Sequence, residues 1–238
     1  MIDSNTNEKI AVNTIIISDI HLGSEVARPQ VVRDMLKIYN FKRLILLGDI
    51  FDDLNFTRLN KEHWGLLSDV RKFSNPKQKK KVIWVEGNHD EGLIEIMSHL
   101  IGIDVLREYI WRINGKKFLA IHGHQFDRFL NENVVISKIA SYIYDKIQKF
   151  GKDKQTFARY VKAKSKGWLK LAGKIAVRAS DYGKQKKVDV VICGHTHLAT
   201  EQKFQEKNIT YYNSGCWTDL PSSYLIIYDD GSLEIKYF

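Results

Sequence analysis

Apolar residues fall along the first hundred positions in two alternating rhythms. Ile10 to Ile17 is a β-branched run that stops at Ser18-Asp19 and reads as a buried strand. Pro29 to Asn40 carries apolar residues at helical spacing, with Pro29 suited to a first turn. Arg43 to Leu47 is a short strand ending at Gly48-Asp49. Leu59 to Phe73 returns to helical spacing, with Trp64, Leu67 and Val70 on related turns. Lys81 to Val85 is the next strand, and it runs into Gly87-Asn88-His89-Asp90. Glu91 to Ile101 is again helical in pattern. Strands and helices in alternation predict a layered α/β core.

The rhythm then changes. Val105–Ile113 and Lys117–Ile121 flank Asn114-Gly115, a strong hairpin signal because both turn residues accept a left-handed backbone. From Arg128 to about Lys184 the pattern is helical and basic, with almost no strand signal. Val188–Ile192 restarts a strand that leads to Gly194-His195. Ile209–Asn213 and Tyr224–Tyr228 are further strands, and Asp230-Gly231 makes a second hairpin to Glu234–Tyr237. There is no internal repeat and no low-complexity linker.

At 238 residues, 44% of them hydrophobic, the chain fits one large domain or a core with an insertion. No apolar run approaches the roughly 20 residues that span a bilayer. Met1–Lys9 is polar and lacks the apolar stretch of a secretory signal, so a cytoplasmic location is expected. Cys193 and Cys216 make no metal or redox motif and read as buried free thiols. The formal charge of +9 is unevenly placed. Residues 125–187 hold 16 Lys and Arg against 5 Asp and Glu, so the basicity belongs to one segment. Such a block attracts phosphates, nucleic acid or an anionic membrane surface. The lysines at 77 and 79–81 precede a buried strand without interleaved aromatics, so nucleic acid is not an expected partner.

Five segments carry the chemistry: Asp19-Ile20-His21, Gly48-Asp49, Gly87-Asn88-His89-Asp90, His122-Gly123-His124 and Gly194-His195-Thr196-His197. They offer carboxylate, imidazole and amide oxygen, ligands suited to a pair of divalent metals. In order and spacing they resemble the calcineurin-like metallophosphoesterase family. The resemblance implies a four-layer αββα sandwich, with a core of residues 1–127 and 185–238. The basic helical block at 128–184 would then be an inserted cap. It implies that Asp49 bridges two metals, that Asp19, His21 and His197 complete one site, and that Asn88, His122 and His195 complete the other. Hydrolysis by a metal-bridging hydroxide follows from that likeness. In the family the histidine of Gly-Asn-His-Asp, here His89, protonates the leaving oxygen. Asp52 is placed like the carboxylate that orients it, and Asp53 is the alternative. Manganese is the expected metal, with iron, zinc and magnesium as alternatives. His63 and His99 read as ordinary packing or surface residues.

Within the family the chain resembles enzymes of lipid A synthesis that hydrolyse UDP-2,3-diacylglucosamine. Ser18-Asp19-Ile20-His21-Leu22, Gly48-Asp49-Ile50-Phe51, the length and the basic insertion carry that likeness. It implies a phosphorylated, amphiphilic or nucleotide-linked substrate met at the membrane face. Apolar stripes at Val134–Phe150 and at Phe157, Tyr160, Trp168, Leu169, Leu171 and Ile175 would face acyl chains, and Lys162, Lys164 and Lys166 would face phosphate. One position departs from that group, which carries arginine where this chain has His89. Histidine keeps open a more basic leaving group, as in a nucleotide, phosphomonoester or phosphodiester. A metal-bound scaffold without catalysis is the remaining reading.

Overall fold

The computed structural model describes residues 9–92, 102–128 and 154–238, with side chains of the last segment described from Gly167 onward. The patterns at 93–101 and 129–153, His99 among them, lie outside the described residues. So do the side chains of Phe157, Tyr160, Lys162, Lys164 and Lys166.

The first rhythm builds a six-stranded sheet. Strands β1 (Ile10–Ile17), β2 (Tyr39–Leu47), β3 (Lys81–Val85) and β4 (Asp104–Leu106) run parallel. β10 (Ser223–Ile227) and β11 (Leu233–Tyr237) extend the sheet antiparallel from β1, giving the order β11-β10-β1-β2-β3-β4. The second sheet has the order β5-β6-β7-β9-β8. It contains β5 (Tyr109–Ile113), β6 (Lys116–Ala120), β7 (Val190–Cys193), β8 (Thr200–Phe204) and β9 (Ile209–Asn213).

Alternation along the strands explains the layering. Successive side chains point to opposite faces. Ile16, Ile45, Leu47, Ile83 and Val85 therefore face Trp111, Phe118, Ala120 and Ile192 between the sheets. Their neighbours Ile15, Ile17, Leu44, Leu46 and Trp84 face outward, onto Val32, Met35 and Leu36 of helix α1 (Pro29–Ile38) and Leu66, Leu67 and Val70 of α2 (Lys61–Phe73). A short α3 (His124–Arg128) follows β6. The long α4 (Lys154–Lys186) covers the outer face of the second sheet, where Ile175, Ala176 and Ala179 meet Leu119, Val191 and Tyr211. The four layers are those expected.

Several boundaries differ from expectation. Tyr39 is already extended, and Tyr39 and Phe41 are buried while Asn40 and Lys42 are exposed, so β2 begins where the helix was expected to continue. Val105–Ile113 is not one strand. Val105 pairs with Trp84 in the first sheet, while Tyr109 pairs with Ala120 in the second. An apolar run does not reveal its partner. Trp64 is 53% exposed; Leu66 joins Leu67 and Val70 inside instead. His63 is buried and accepts the Asn60 N–H at 3.1 Å, closing a capping box on α2. Strand β8, Thr-Glu-Gln-Lys-Phe, had no apolar signal and lies at a sheet edge. Within the segment expected to form a cap, Ala172, Ile175, Ala176 and Ala179 are buried, the last three in a cluster with the second sheet. The Asn114-Gly115 hairpin forms as predicted, with φ of 47° and 78°. Both cysteines are free and buried. Among the described residues no helix is long and apolar enough to cross a membrane.

Candidate metal centre

The chemistry-bearing segments all follow strand C-termini. β1 runs into Asp19 and His21, β2 into Asp49, and β3 into Asn88 and His89. From the second sheet β6 runs into His122, and β7 into His195 and His197. Parallel strands place these ends at one edge of the sandwich. The loops are also tied across it. Ser18 and Ser214 hydroxyls are 2.7 Å apart, the Asn213 amide donates to the Gly194 carbonyl at 2.5 Å, and the Gly194 N–H donates to the His122 carbonyl.

Two groups result. Ligand atoms of Asp19, His21 and His197 all lie within 4.8 Å of one another, as do those of Asp49, His122 and His195. Asp19 is fully buried and Asp49 nearly so. His122 Nε2 stands 3.5 Å from an Asp19 oxygen and 3.6 Å from an Asp49 oxygen. His197 Nε2 is 3.1 Å from Asp19.

Three observations fit this set to cations. First, six buried side-chain polar atoms among the described residues make no hydrogen bond, and three of them are His21 Nε2, Asn88 Oδ1 and His122 Nε2. Buried polar atoms normally find partners, so an orphaned trio at one place implies an absent one. Second, Asp19, His21, Asp49, His195 and His197 all have φ between 51° and 66°. Non-glycine residues rarely adopt this left-handed region, and such strain gathers at functional sites. Third, glycine is required where backbones approach. A Cβ on Gly87 would fall 2.2 Å from an Asp49 oxygen, and one on Gly48, at φ 79°, would fall 2.4 Å from the His122 ring.

Sequence comparison decides the family. Residues 12–199 match the calcineurin-like phosphoesterase family. The chain belongs to that family. It is a family of generally metal-dependent phosphoesterases that bind two divalent ions, and the groups above are candidate ligands. No curated protein sequence matches the chain. Among solved structures, Vps29 from Chaetomium thermophilum aligns with TM-score 0.50 at 8% identity, covering 94% of this chain and 95% of that one. A novel archaeal phosphodiesterase aligns with TM-score 0.49 at 14% identity, covering 94% and 99%. YfcE, a phosphoesterase from E. coli, aligns with TM-score 0.47 at 17% identity, covering 94% and 97%.

Charges in this calcineurin-like phosphoesterase are held against burial. Desolvation disfavours the Asp19 carboxylate, yet His197 and His122 hold its pKa well below the ordinary range. Burial opposes charge on His122 and His197 as well, but the Asp19 and Asp49 carboxylates outweigh it at His122, and Asp19 does so at His197. Both imidazole pKa values are therefore raised. A cation held by these residues would replace the protons in neutralising the carboxylates.

The outer contacts show what the Asp52 carboxylate meets. A carboxylate oxygen of Asp52 lies within 4.8 Å of ring nitrogens of both His21 and His89. The carboxylate lies 3.5 Å from His21 Nδ1 and pairs with Arg58 at 2.9 Å. His89 Nδ1 meets the Asp52 main-chain carbonyl at 2.5 Å, and the His89 N–H donates to Asp49 at 2.9 Å. Asp53 pairs with Arg58 at 2.6 Å. Asp52 thus orients a candidate ligand, His21, whose Nε2 faces the site. Asp52→Asn should lower metal affinity by roughly 10–100-fold, the usual loss for such a partner. Metal titration checks this, and an unchanged affinity would detach Asp52 from His21.

Asp90 was not singled out in the sequence. It is buried and accepts from the Ile50 and Phe51 N–H groups at 3.1 and 2.9 Å and from the Trp84 indole at 3.3 Å. It clamps the loop that carries Asp49. Burial, then the Asp49 charge, pushes its pKa up to about 6. Its place in Gly-Asn-His-Asp was the available signal. Asp127, also missed, lies 3.2 Å from His195 Nε2, and His124 Nδ1 lies 3.1 Å from His122 Nδ1.

Proposed function

We propose that the chain is a dinuclear metal-dependent phosphoester hydrolase. The observation that carries this reading is the orphaned trio of His21 Nε2, Asn88 Oδ1 and His122 Nε2 beside two buried carboxylates. Asp19, His21, Asp49, Asn88, His122, His195 and His197 would hold the ions, with Asp49 as the bridge. Divalent ions so held supply Lewis-acid polarisation of the phosphoryl group and a nucleophile at neutral pH. Manganese is the metal we expect, and iron, zinc or magnesium suits the same ligands.

His89 has the geometry of a proton donor. Its Nδ1 is engaged by the Asp52 carbonyl, which leaves Nε2 for a leaving oxygen. His89→Ala should retain metal content and slow the cleavage of aryl phosphoesters. The loss should grow with leaving-group pKa, reaching roughly a hundredfold for the most basic. An equal loss across the series would remove this role.

The substrate we favour is a nucleotide-linked lipid of the UDP-2,3-diacylglucosamine type, met at an anionic membrane face. The basic composition of residues 125–187 and the exposure of Trp168 and Leu169 support this reading. Trp168 also reaches the metal-side loop, donating to the Thr196 carbonyl at 2.7 Å. Ile175 is wholly buried in the core and Leu171 packs against it, which removes them from any acyl-facing stripe. The test compares UDP-2,3-diacylglucosamine with its deacylated form. Acyl chains should raise kcat/KM by at least about tenfold, since each buried methylene contributes roughly 0.8 kcal/mol. Equal rates would exclude acyl recognition. Cleavage of a simple phosphodiester alone would select the second reading, which His89 Nε2 favours: a phosphoesterase for basic leaving groups. Metal binding without cleavage of any phosphoester would leave a scaffold.

A further inference from the structure

A further group of potential metal-binding side chains shares His197 with the centre and extends away from it. Ligand atoms of His197, Cys216 and Asp219 lie within 4.8 Å of one another. Cys216 follows β9 and is 2% exposed. Its segment is pinned on both sides: the Cys216 carbonyl accepts from the Ser223 N–H at 3.1 Å, and the Trp217 N–H donates to the Asp19 carbonyl at 3.1 Å. A His197 ring nitrogen lies within 4.8 Å of the Cys216 sulfur, and His197 Nε2 stands 3.1 Å from Asp19. Asp219 is exposed, so the group has a solvent-facing side.

We propose that His197, Cys216 and Asp219 form a separate site for a thiophilic divalent cation, which competes with the metal centre for His197. Thiolate, imidazole and carboxylate with an open fourth position is a zinc-type set. Ions sort by softness: manganese prefers oxygen and imidazole, whereas zinc and cadmium take the sulfur. On binding, a metal–sulfur bond forms and the thiol proton leaves to solvent. One imidazole serves two neighbouring clusters, Asp19–His21–His197 and His197–Cys216–Asp219. Excess zinc or cadmium therefore draws His197 away from the first. The competition rests on the reading of His197 as a ligand of the centre, but not on any hydrolysis.

The test uses the full chain, reduced and freed of metal, titrated with cadmium while the ultraviolet cadmium–thiolate charge-transfer band is followed. The band should appear in the wild type and in Cys193→Ser, and should be lost in Cys216→Ser. Asp219→Asn should weaken cadmium binding about tenfold, and saturation with manganese should do the same. Absence of the band in the wild type, or its survival in Cys216→Ser, would overturn the site. Indifference to manganese would overturn the competition for His197. Should Cys216→Ser fail to fold, the exposed Asp219→Asn decides, and an unchanged cadmium affinity refutes the proposal. Activity is not read, so a failure of the hydrolase reading would register separately.

Discussion

Asp49→Asn should retain the fold and lose the activity. The amide keeps the shape of the side chain and can still accept the His89 N–H, which Asp49 Oδ1 now receives at 2.9 Å. What disappears is the charge. Asp49 is 2% exposed, with its other oxygen 3.6 Å from His122 Nε2. On the proposed reading Asp49 would help hold two divalent ions, and its carboxylate would offset their mutual repulsion where a neutral amide would not. The fall in kcat/KM should exceed the roughly 10–100-fold typical of losing an outer contact. Bound metal should fall with it. Elemental analysis and aryl phosphodiester hydrolysis measure the two effects. Wild-type metal content and rate would place Asp49 outside the centre.

Gly87→Ala should be nearly as damaging, for a steric reason. The added methyl would stand 2.2 Å from Asp49 Oδ1 and 2.3 Å from the Asp49 nitrogen, and the second contact is with rigid backbone. Either β2's loop or the residues before Asn88 must shift. Overpacking of this kind costs about 1–3 kcal/mol. Thermal unfolding should show the lower midpoint, and metal titration the weakened site. Gly173→Ala is the control, because its Cβ would meet nothing within 4 Å inside a helix. That change should stabilise by up to about 1 kcal/mol. Equal behaviour of the two variants would show that the Gly87 contact is relieved without cost.

Much of this was legible beforehand because both signals are local. β-branched runs such as Ile10–Ile17 commit to a strand whichever strand they pair with. Ligand residues announce themselves when they follow such runs. What escaped was non-local. Thr200–Phe204 is a strand because β9 offers it an edge, not because of its own side chains. Val105 and Tyr109, four residues apart, go to different sheets. Asp52 was expected beside His89 by position in a motif. The turn after β2 presents its carbonyl to His89 Nδ1 and a carboxylate oxygen to His21 Nδ1, with the three side chains grouped together. Which atom of a residue meets which neighbour depends on backbone turns that spacing does not encode. The left-handed conformations of five candidate ligands belong to the same class.

The division of the ligands between sheets sets an order of events in folding. Asp19, His21, Asp49 and Asn88 emerge in the first 88 residues, whereas His195 and His197 follow more than a hundred residues later. They arrive only once α4 and β7 have been made. A chain leaving the ribosome therefore carries only part of this ligand set over more than a hundred residues of its synthesis. Contacts separated so widely in sequence close late. If these residues hold cations as proposed, capture at full strength would be a terminal event, reporting that the two sheets have docked in register.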